Sequence, residues 1–409
     1  MGHSILIVGT YDTKDDELTY IAQVIRGQGG ATLTMDVSVL GDPQTPSDFS
    51  KHEVAKAAGS SIAAAIALGD ENGAMQIMAQ GAAALAARLN REGRFDGVVV
   101  LGGSMGTDLA LDVCAALPLG VPKYVVSTIS FSPLINPGRV AADIQMILWA
   151  GGLYGLNSVC KATLSQAAGA VLGAARAVEK PSGQRPMIGM SGFNSKVVTY
   201  MVMLKPALEA RGFEVAVFHG TGMGGRALES LAAQGTFAAV LDLSPQEVAN
   251  HVFGSPISAG EDRLTNAGRL GIPQIVSIGC LDLVDLVGWQ PLPDLFRDFP
   301  SHAHNRLLTT VLQTPAQRRV VAREICRKLA TAIGPVTFVL PTKGGHCWDV
   351  PGGLLCDPEG LDAFCDEMRK VCPANVNLVE LDAHINDSLF AETILQQFDN
   401  WISNGVVKK

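Results

Sequence analysis

The chain has no C-x-x-C pair, no H-E-x-x-H string and no G-x-x-x-x-G-K-[ST] string in its 409 residues. Paired-cysteine zinc modules, the metalloprotease helix and the usual P-loop are therefore absent. No uninterrupted apolar run approaches the roughly 20 residues that span a bilayer, and the Ala-rich stretch from Ile62 to Leu68 is broken by Gly69-Asp70. This predicts no membrane partner. Charge is sparse at 17% and the net charge is −8, which excludes a generic polyanion binder and predicts no nucleic-acid partner, because such affinity needs clustered Lys and Arg. Met1-Gly2-His3-Ser4 ahead of Ile5–Val8 lacks the basic region, apolar stretch and cleavage site of an export signal, so a cytoplasmic chain is expected. The eight unpaired-looking cysteines read as buried thiols in a reducing compartment.

What is present is ample core material, with 47% hydrophobic residues, and a length that suggests two domains at roughly 100 to 200 residues each. Short β-branched runs alternate with longer helical stretches, the pattern of parallel strands joined by crossover helices. Strands are predicted at Ile5–Val8, Leu33–Val39, Val98–Leu101 and Tyr124–Thr128, and helices near Asp16–Gly27, Val54–Leu68 and Gln76–Arg91. The polar segment 181–186, with two prolines and a glycine, reads as a linker between an N-terminal lobe at 1–180 and a C-terminal lobe at 187–409. The rhythm then restarts, with strands at Met187–Met190, Glu214–His219, Ala238–Leu243, Gln274–Ile278, Val336–Leu340 and Val376–Leu381. The fold class is thus α/β, two lobes with mainly parallel sheets, and ligands are expected in a cleft at the strands' carboxyl ends, where loop amides and helix N-termini converge.

Three turns after strands carry candidate chemistry. Gly9-Thr10-Tyr11-Asp12-Thr13-Lys14 places hydroxyls, a carboxylate and an ammonium at a helix start; Thr10, Thr13 and Lys14 suit phosphate oxygens and Asp12 suits a metal ion. The same residues also suit a plain N-cap, with the acids that follow answering the helix dipole. Gly102-Gly103-Ser104-Met105-Gly106-Thr107 precedes a helix expected near Asp108 and reads as an anion nest, or as a tight turn. His219-Gly220-Thr221-Gly222-Met223-Gly224-Gly225-Arg226 satisfies G-x-G-x-x-G, with Asp242 twenty residues beyond Gly222. That is a dinucleotide fingerprint, displaced from the first strand of its lobe where it belongs. Further polar residues gather at second-lobe strand ends, namely Ser191, Asp282, His302, His304, His346 and His384, where an acid or base would sit. His302 and His304 are in addition a candidate metal pair.

The ordered set Val-Gly-Thr-Tyr-Asp-Thr-Lys, Leu-Gly-Gly-Ser-Met-Gly-Thr and Phe-His-Gly-Thr-Gly-Met-Gly-Gly-Arg-Ala-Leu-Glu, with His304-Asn305 and His384-Ile385-Asn386-Asp387, runs along essentially the whole chain. It resembles the tomato mosaic virus resistance protein family, specifically its N-terminal ATP-binding domain and the uncharacterised bacterial and fungal proteins grouped with it. The resemblance implies two Rossmann-like lobes, ATP and Mg2+ as cofactors, a homodimer, and Gly9, Thr10, Asp12, Thr13, Lys14 with Gly102, Gly103, Ser104, Gly106 and Thr107 beside the nucleotide. The chain departs from that family's pattern at Met105, where a further glycine is common, and at Ser191–Lys196, where relatives tend to be Thr-rich.

The expectation that follows is an ATP-dependent metabolic enzyme, a phosphotransferase or ligase acting on a small acidic molecule. Gly220, Thr221, Gly222, Gly224, Gly225 and Arg226 would hold that molecule across the cleft, and His219, His304 or His384 would act as the base. One alternative is a nucleotide-responsive regulatory protein without turnover. Another is a nicotinamide-dependent dehydrogenase using Gly220, Gly222, Gly225 and Asp242.

Overall fold

A computed structural model describes residues 2–408 apart from 153 and 182. The chain divides into two compact units, Met1–Pro181 and Ser182–Lys409. Ser182, within the segment read as the linker, lies outside the described residues. Among those residues no helix is long and apolar enough to cross a membrane, and all eight cysteines carry free thiols.

In the first unit the order is β1 (Ser4–Gly9), α1 (Tyr11–Gly27), β2 (Ala31–Asp36), α2 (Lys51–Ala57), α3 (Ile62–Ala67), α4 (Glu71–Arg91), β3 (Gly97–Gly102), α5 (Ser104–Ala115), β4 (Lys123–Ser127), β5 (Ile144–Leu148) and α6 (Ser158–Ala177). The five strands form one parallel sheet in the order β2-β1-β3-β4-β5. Its central strands read as unbroken apolar runs because both faces are covered. Leu6, Val8, Val98 and Val100 pack with residues of α4 and α5 on one face. Ile5, Ile7, Val99 and Leu101 pack with α1 and α6 on the other. Alternation of side chains along each strand sends neighbours into opposite cores.

Three local expectations are corrected. The single helix expected over Val54–Leu68 is two, α2 and α3, because Gly59 takes a left-handed conformation at φ 70° and ends the first. The edge strand β5, half-exposed, carried too weak an apolar signal to be read. Helix α5 starts at Ser104, four residues before Asp108, so most of the expected glycine loop is the helix's first turn.

The second unit continues with β6 (Met187–Gly192), α7 (Tyr200–Ala210), β7 (Glu214–His219), α8 (Met223–Ala233), β8 (Phe237–Asp242), α9 (Gln246–Val252), α10 (Asn266–Arg269), β9 (Gln274–Val276), β10 (Leu283–Val287), β11 (Ser301–Ala303), β12 (Leu308–Leu312), α11 (Pro315–Leu329), β13 (Val336–Pro341), α12 (Pro358–Val371), β14 (Val376–Leu381) and α13 (Ser388–Ser403). Six of these strands make a second parallel sheet, β14-β13-β9-β8-β6-β7, and they are the six the sequence marked. Its two faces are covered by separate cores, one holding Ile275 and Val339 with α7 and α13, the other Val276, Phe338 and Leu340 with α11 and α12. The small antiparallel sheet β10-β12-β11 was not anticipated. Its strands have only three to five residues, too short to stand out from the loops around them.

Candidate functional site

Strands β1 and β3 are hydrogen-bonded neighbours, Ile5 opposite Gly97 through Val8 opposite Val100, so the turns after them open side by side. They form one wall of a cavity of about 650 Å3, lined there by Thr10, Asp12, Thr13, Lys14 and Gly102–Gly106. The opposite wall is apolar, with Val37, Val39, Ala65, Ile66 and Met75. Leu40, Ile66 and Met105 remain 81%, 48% and 40% exposed around it, so the cavity offers apolar as well as polar surface. The sequence reading missed this wall, because its residues look like ordinary helix and loop positions.

The first turn contributes side chains rather than amides. The Tyr11 and Asp12 N–H groups, which the start of a helix leaves without internal partners, donate to Asp36 Oδ1 at 3.2 Å and Ser38 Oγ at 3.1 Å. Thr10, the N-cap residue of α1, makes no capping bond; its hydroxyl lies 3.0 Å from that of Thr13. The acceptor at the end of β2 thus does the capping, leaving both threonines to face the cavity. Asp12 Oδ2 accepts from Gly41 N–H at 3.2 Å, while Asp12 Oδ1 is buried without a partner. Lys14 breaks the helical geometry at φ −130°, ψ 22°, with Nζ 4.0 Å from Glu17 and 5.3 Å from the Trp149 ring centre. A buried oxygen on Asp15 is likewise without a hydrogen bond, as is the buried Glu17 Oε1, which has the Lys14 ammonium near it; burial raises the Asp15 carboxyl above its ordinary range despite a hydrogen bond from Thr45. Gly9 is buried outside the cavity, packed so that a Cβ there would strike Leu18.

The second turn contributes backbone. Four of the six helices in this unit are capped by a side chain, from Ser50, Ser61, Asp70 and Asn157. Helix α5, twelve residues long, has Gly103 at its N-cap and no side-chain cap, so its first amides and the positive end of its dipole meet the cavity. Gly102 must be glycine, since a Cβ would press on the Gly106 backbone. Thr107, expected at the ligand, is buried instead: its hydroxyl donates to Gly103 C=O at 2.7 Å and lies 2.6 Å from Ser127 Oγ. It braces the turn from behind.

The third glycine turn is already occupied by the protein itself. Gly222 and Gly225 donate their N–H groups to Glu247 Oε1 at 2.7 and 3.0 Å, and a Cβ on Gly225 would collide with that carboxylate. Glu247 Oε2 accepts from Arg263 Nε at 2.7 Å, and Arg263 grips both oxygens of Asp242. All three side chains are buried. Asp242 is therefore unavailable to a ribose, and Arg226 is buried and paired through Nη1 with Asp262, its buried Nε making no hydrogen bond. Glu229 completes the cluster around Arg263, and burial, against the pull of Arg263, pushes its carboxyl up to about 7. Of this turn, His219 and Thr221 line a cavity.

That cavity, about 200 Å3, brings together His219 and His304 with Gln246, Asp285, Thr310 and Trp348. Burial holds both histidines below their ordinary value. His384 does not join them. Its Nδ1 accepts from Asn386 N–H and its Nε2 donates to His346 C=O, both at 3.1 Å, so both ring nitrogens are spent on backbone. Deeper in the same unit Asp282, His346 and Asp349 bring ligand-type atoms within 4.8 Å of one another. Arg318 stands 3.8 Å from Asp282. Burial works to raise the Asp282 carboxyl, but His346 and Arg318 outweigh it and bring it below the usual range. His302 packs edge-on against His304 at 4.8 Å and belongs to no such cluster among the described residues.

Comparison with solved structures returns an E. coli ADP-heptose LPS heptosyltransferase II, 11% identical over 98% of this chain and 99% of that one at a TM-score of 0.22, on which no argument rests. Sequence relatives are closer. A UPF0261 protein of Brucella melitensis is 53% identical over 99% of this chain and 97% of its own, and one of Clostridium tetani is 34% identical over 98% and 99%. The ToMV resistance protein Tm-1(GCR237) of Solanum lycopersicum is 29% identical over 96% of this chain but 55% of its own length. Models of the uncharacterised protein family UPF0261 match over both halves, the N-terminal domain at residues 3–180 and the C-terminal domain at 185–402. The chain belongs to the UPF0261 family.

Proposed function

We propose that the first unit binds ATP as its magnesium complex and that the chain is an ATP-dependent metabolic enzyme of the phosphotransferase or ligase type. The observation that carries the binding step is the uncapped N-terminus of α5 opening beside Thr10, Asp12, Thr13 and Lys14 into one cavity with an apolar far wall. Uncapped amides and a lysine suit phosphate oxygens, and the apolar wall suits a base. Carboxylates of Asp12, Asp70 and Glu71 outnumber the single ammonium of Lys14 on the lining, so a bare polyanion would meet repulsion that a divalent cation relieves. Asp12 fits that ion, because its buried Oδ1 has no other partner and carboxylate oxygens are the ligands magnesium prefers. When bound, magnesium would neutralise charge on the phosphates.

The test is calorimetric titration of the full chain with ATP and magnesium, with NAD in parallel. The expected result is ATP binding that Lys14→Ala abolishes and Asp12→Asn strips of its magnesium dependence, with no NAD binding. NAD binding alone, or ATP binding indifferent to both substitutions, overturns the reading. Phosphate release under saturating ATP then separates an enzyme from a nucleotide-responsive regulator. The resistance named for the tomato relative forms no part of this reading, since shared fold does not carry function.

A further inference from the structure

The cavity of the second unit has a chemistry of its own, independent of the nucleotide reading. Thr310, buried on β12, donates its hydroxyl proton to Asp285 Oδ1 at 2.5 Å. A hydroxyl has one proton, so the contact of 3.0 Å between Thr310 Oγ1 and His304 Nε2 must be donated by the imidazole. His304 is thereby fixed with its proton on Nε2 and its lone pair on Nδ1, to which no described group hydrogen-bonds. The order Asp285, Thr310, His304 runs from a buried carboxylate to a half-exposed ring on the cavity wall.

Two further features mark the place as a ligand site. Gln246 is buried and lines the cavity with its side chain set against the Asp285 carboxylate, although its Nε2 finds no acceptor at bonding distance, so the amide is held loosely enough to turn to a bound molecule. Cys280, also on the lining, holds a left-handed backbone at φ 56°, a strain that side-chain-bearing residues keep chiefly at functional sites. The lining contains no Lys or Arg. Its polar groups are amides, hydroxyls, imidazoles, the Cys280 thiol and one carboxylate, Asp285, which Thr310 already engages, and Phe193 and Trp348 supply flat apolar walls. At about 200 Å3 it is smaller than the roughly 300–1,000 Å3 typical of drug-sized pockets.

We propose that this cavity binds a small, uncharged, hydroxyl-bearing molecule and that His304 Nδ1 takes a proton from one of its hydroxyl groups, with Thr310 and Asp285 as positioning residues. In that step the O–H bond breaks, its electron pair stays on oxygen, and the proton bonds to Nδ1. The imidazolium so formed is balanced by the Asp285 carboxylate through Thr310. An acidic molecule of the kind expected from the sequence would meet no Lys or Arg on this lining.

The test uses the full chain with 15N-labelled histidine, His304 being assigned by its loss in His304→Gln. The expected spectrum has the proton on Nε2 by a ratio of about ten to one, what one net hydrogen bond supplies. Thr310→Val and Asp285→Asn should bring that ratio towards one, and Thr310→Ser, which keeps the hydroxyl, should restore it. A proton on Nδ1 in the unmodified protein, or Thr310→Val matching it, overturns the relay. In the second arm, glycerol and myo-inositol are titrated against inorganic phosphate and citrate. The polyols should shift the His304 and Trp348 signals in the unmodified protein and not in His304→Gln, with the anions inert. Response to the anions, or to neither polyol, overturns the ligand class.

Discussion

Replacing Glu247 with Ala tests whether the G-x-G-x-x-G turn is a ligand loop or a structural one. Glu247 is fully buried and accepts three hydrogen bonds, from Gly222 at 2.7 Å, Gly225 at 3.0 Å and Arg263 at 2.7 Å. Its loss orphans two buried amides and leaves Arg263 with Asp242 as its main counter-ion. Breaking a buried ion pair from one side costs about 3–5 kcal/mol, and the stranded amides are part of that cost rather than an addition to it. At about 2–4 °C per kcal/mol for a unit of this size, calorimetric unfolding of the full chain should show a transition lowered by roughly 6–20 °C. Glu247→Gln, which keeps an acceptor for the amides and loses the charge, should fall between. ATP affinity should not move, because every residue lining the cavity proposed for the nucleotide belongs to the first unit. An unchanged transition in Glu247→Ala, with a new affinity for small anions at the vacated turn, would refute the reasoning.

The remaining predictions follow from the same geometry. Thr107→Val removes two buried hydrogen bonds behind the α5 turn and should cost about 1–3 kcal/mol in urea unfolding, together with a fall in ATP affinity as Gly103 loses its brace. Burial lifts Glu229 from 4.5 to about 7, so the folded chain holds a proton that the unfolded chain has released between those values; this stabilisation is present below about pH 4.5 and is lost as pH rises through 7. Against the unmodified protein, Glu229→Gln should therefore flatten the decline in urea midpoint between pH 5 and 8, by at most about 3 kcal/mol; an identical slope would count against the assignment. His384→Ala should lower stability through its two lost backbone partners while leaving the His304 tautomer ratio as it was, measured in the same 15N spectra.

Much of this was legible in the sequence because it is local. Unbroken apolar runs such as Ile5–Val8 and Val98–Leu101 announce strands covered on both faces, and ten of the strands in the two large sheets, all but the half-exposed edge strand β5, were marked by such runs or by shorter apolar stretches between glycines and prolines. The turns after β1 and β3 were legible too, since glycine, hydroxyl and charged residues behind a strand need no partner to be noticed. Local pattern misled where it was read without a partner. Gly220–Arg226 carries the letters of an anion loop, but Glu247, more than twenty residues on, fills it. His384 and His304 look alike in sequence and differ in the structure, the one spent on backbone and the other left with a free lone pair.

The sequence alone determined the α/β class, the strand order in time and the chemistry available at each turn, because those depend on periodicity and residue type within a few positions. Only the tertiary structure decided which turns stand together and which polar groups are already satisfied. Strand order in the sheet makes β1 and β3 neighbours across nearly a hundred residues, and partners as distant as Asp36 for Tyr11, or Thr310 for Asp285, determine whether a buried group is used up or still needs a ligand. Hydrogen-bond satisfaction is a property of space, and the chain order does not record it.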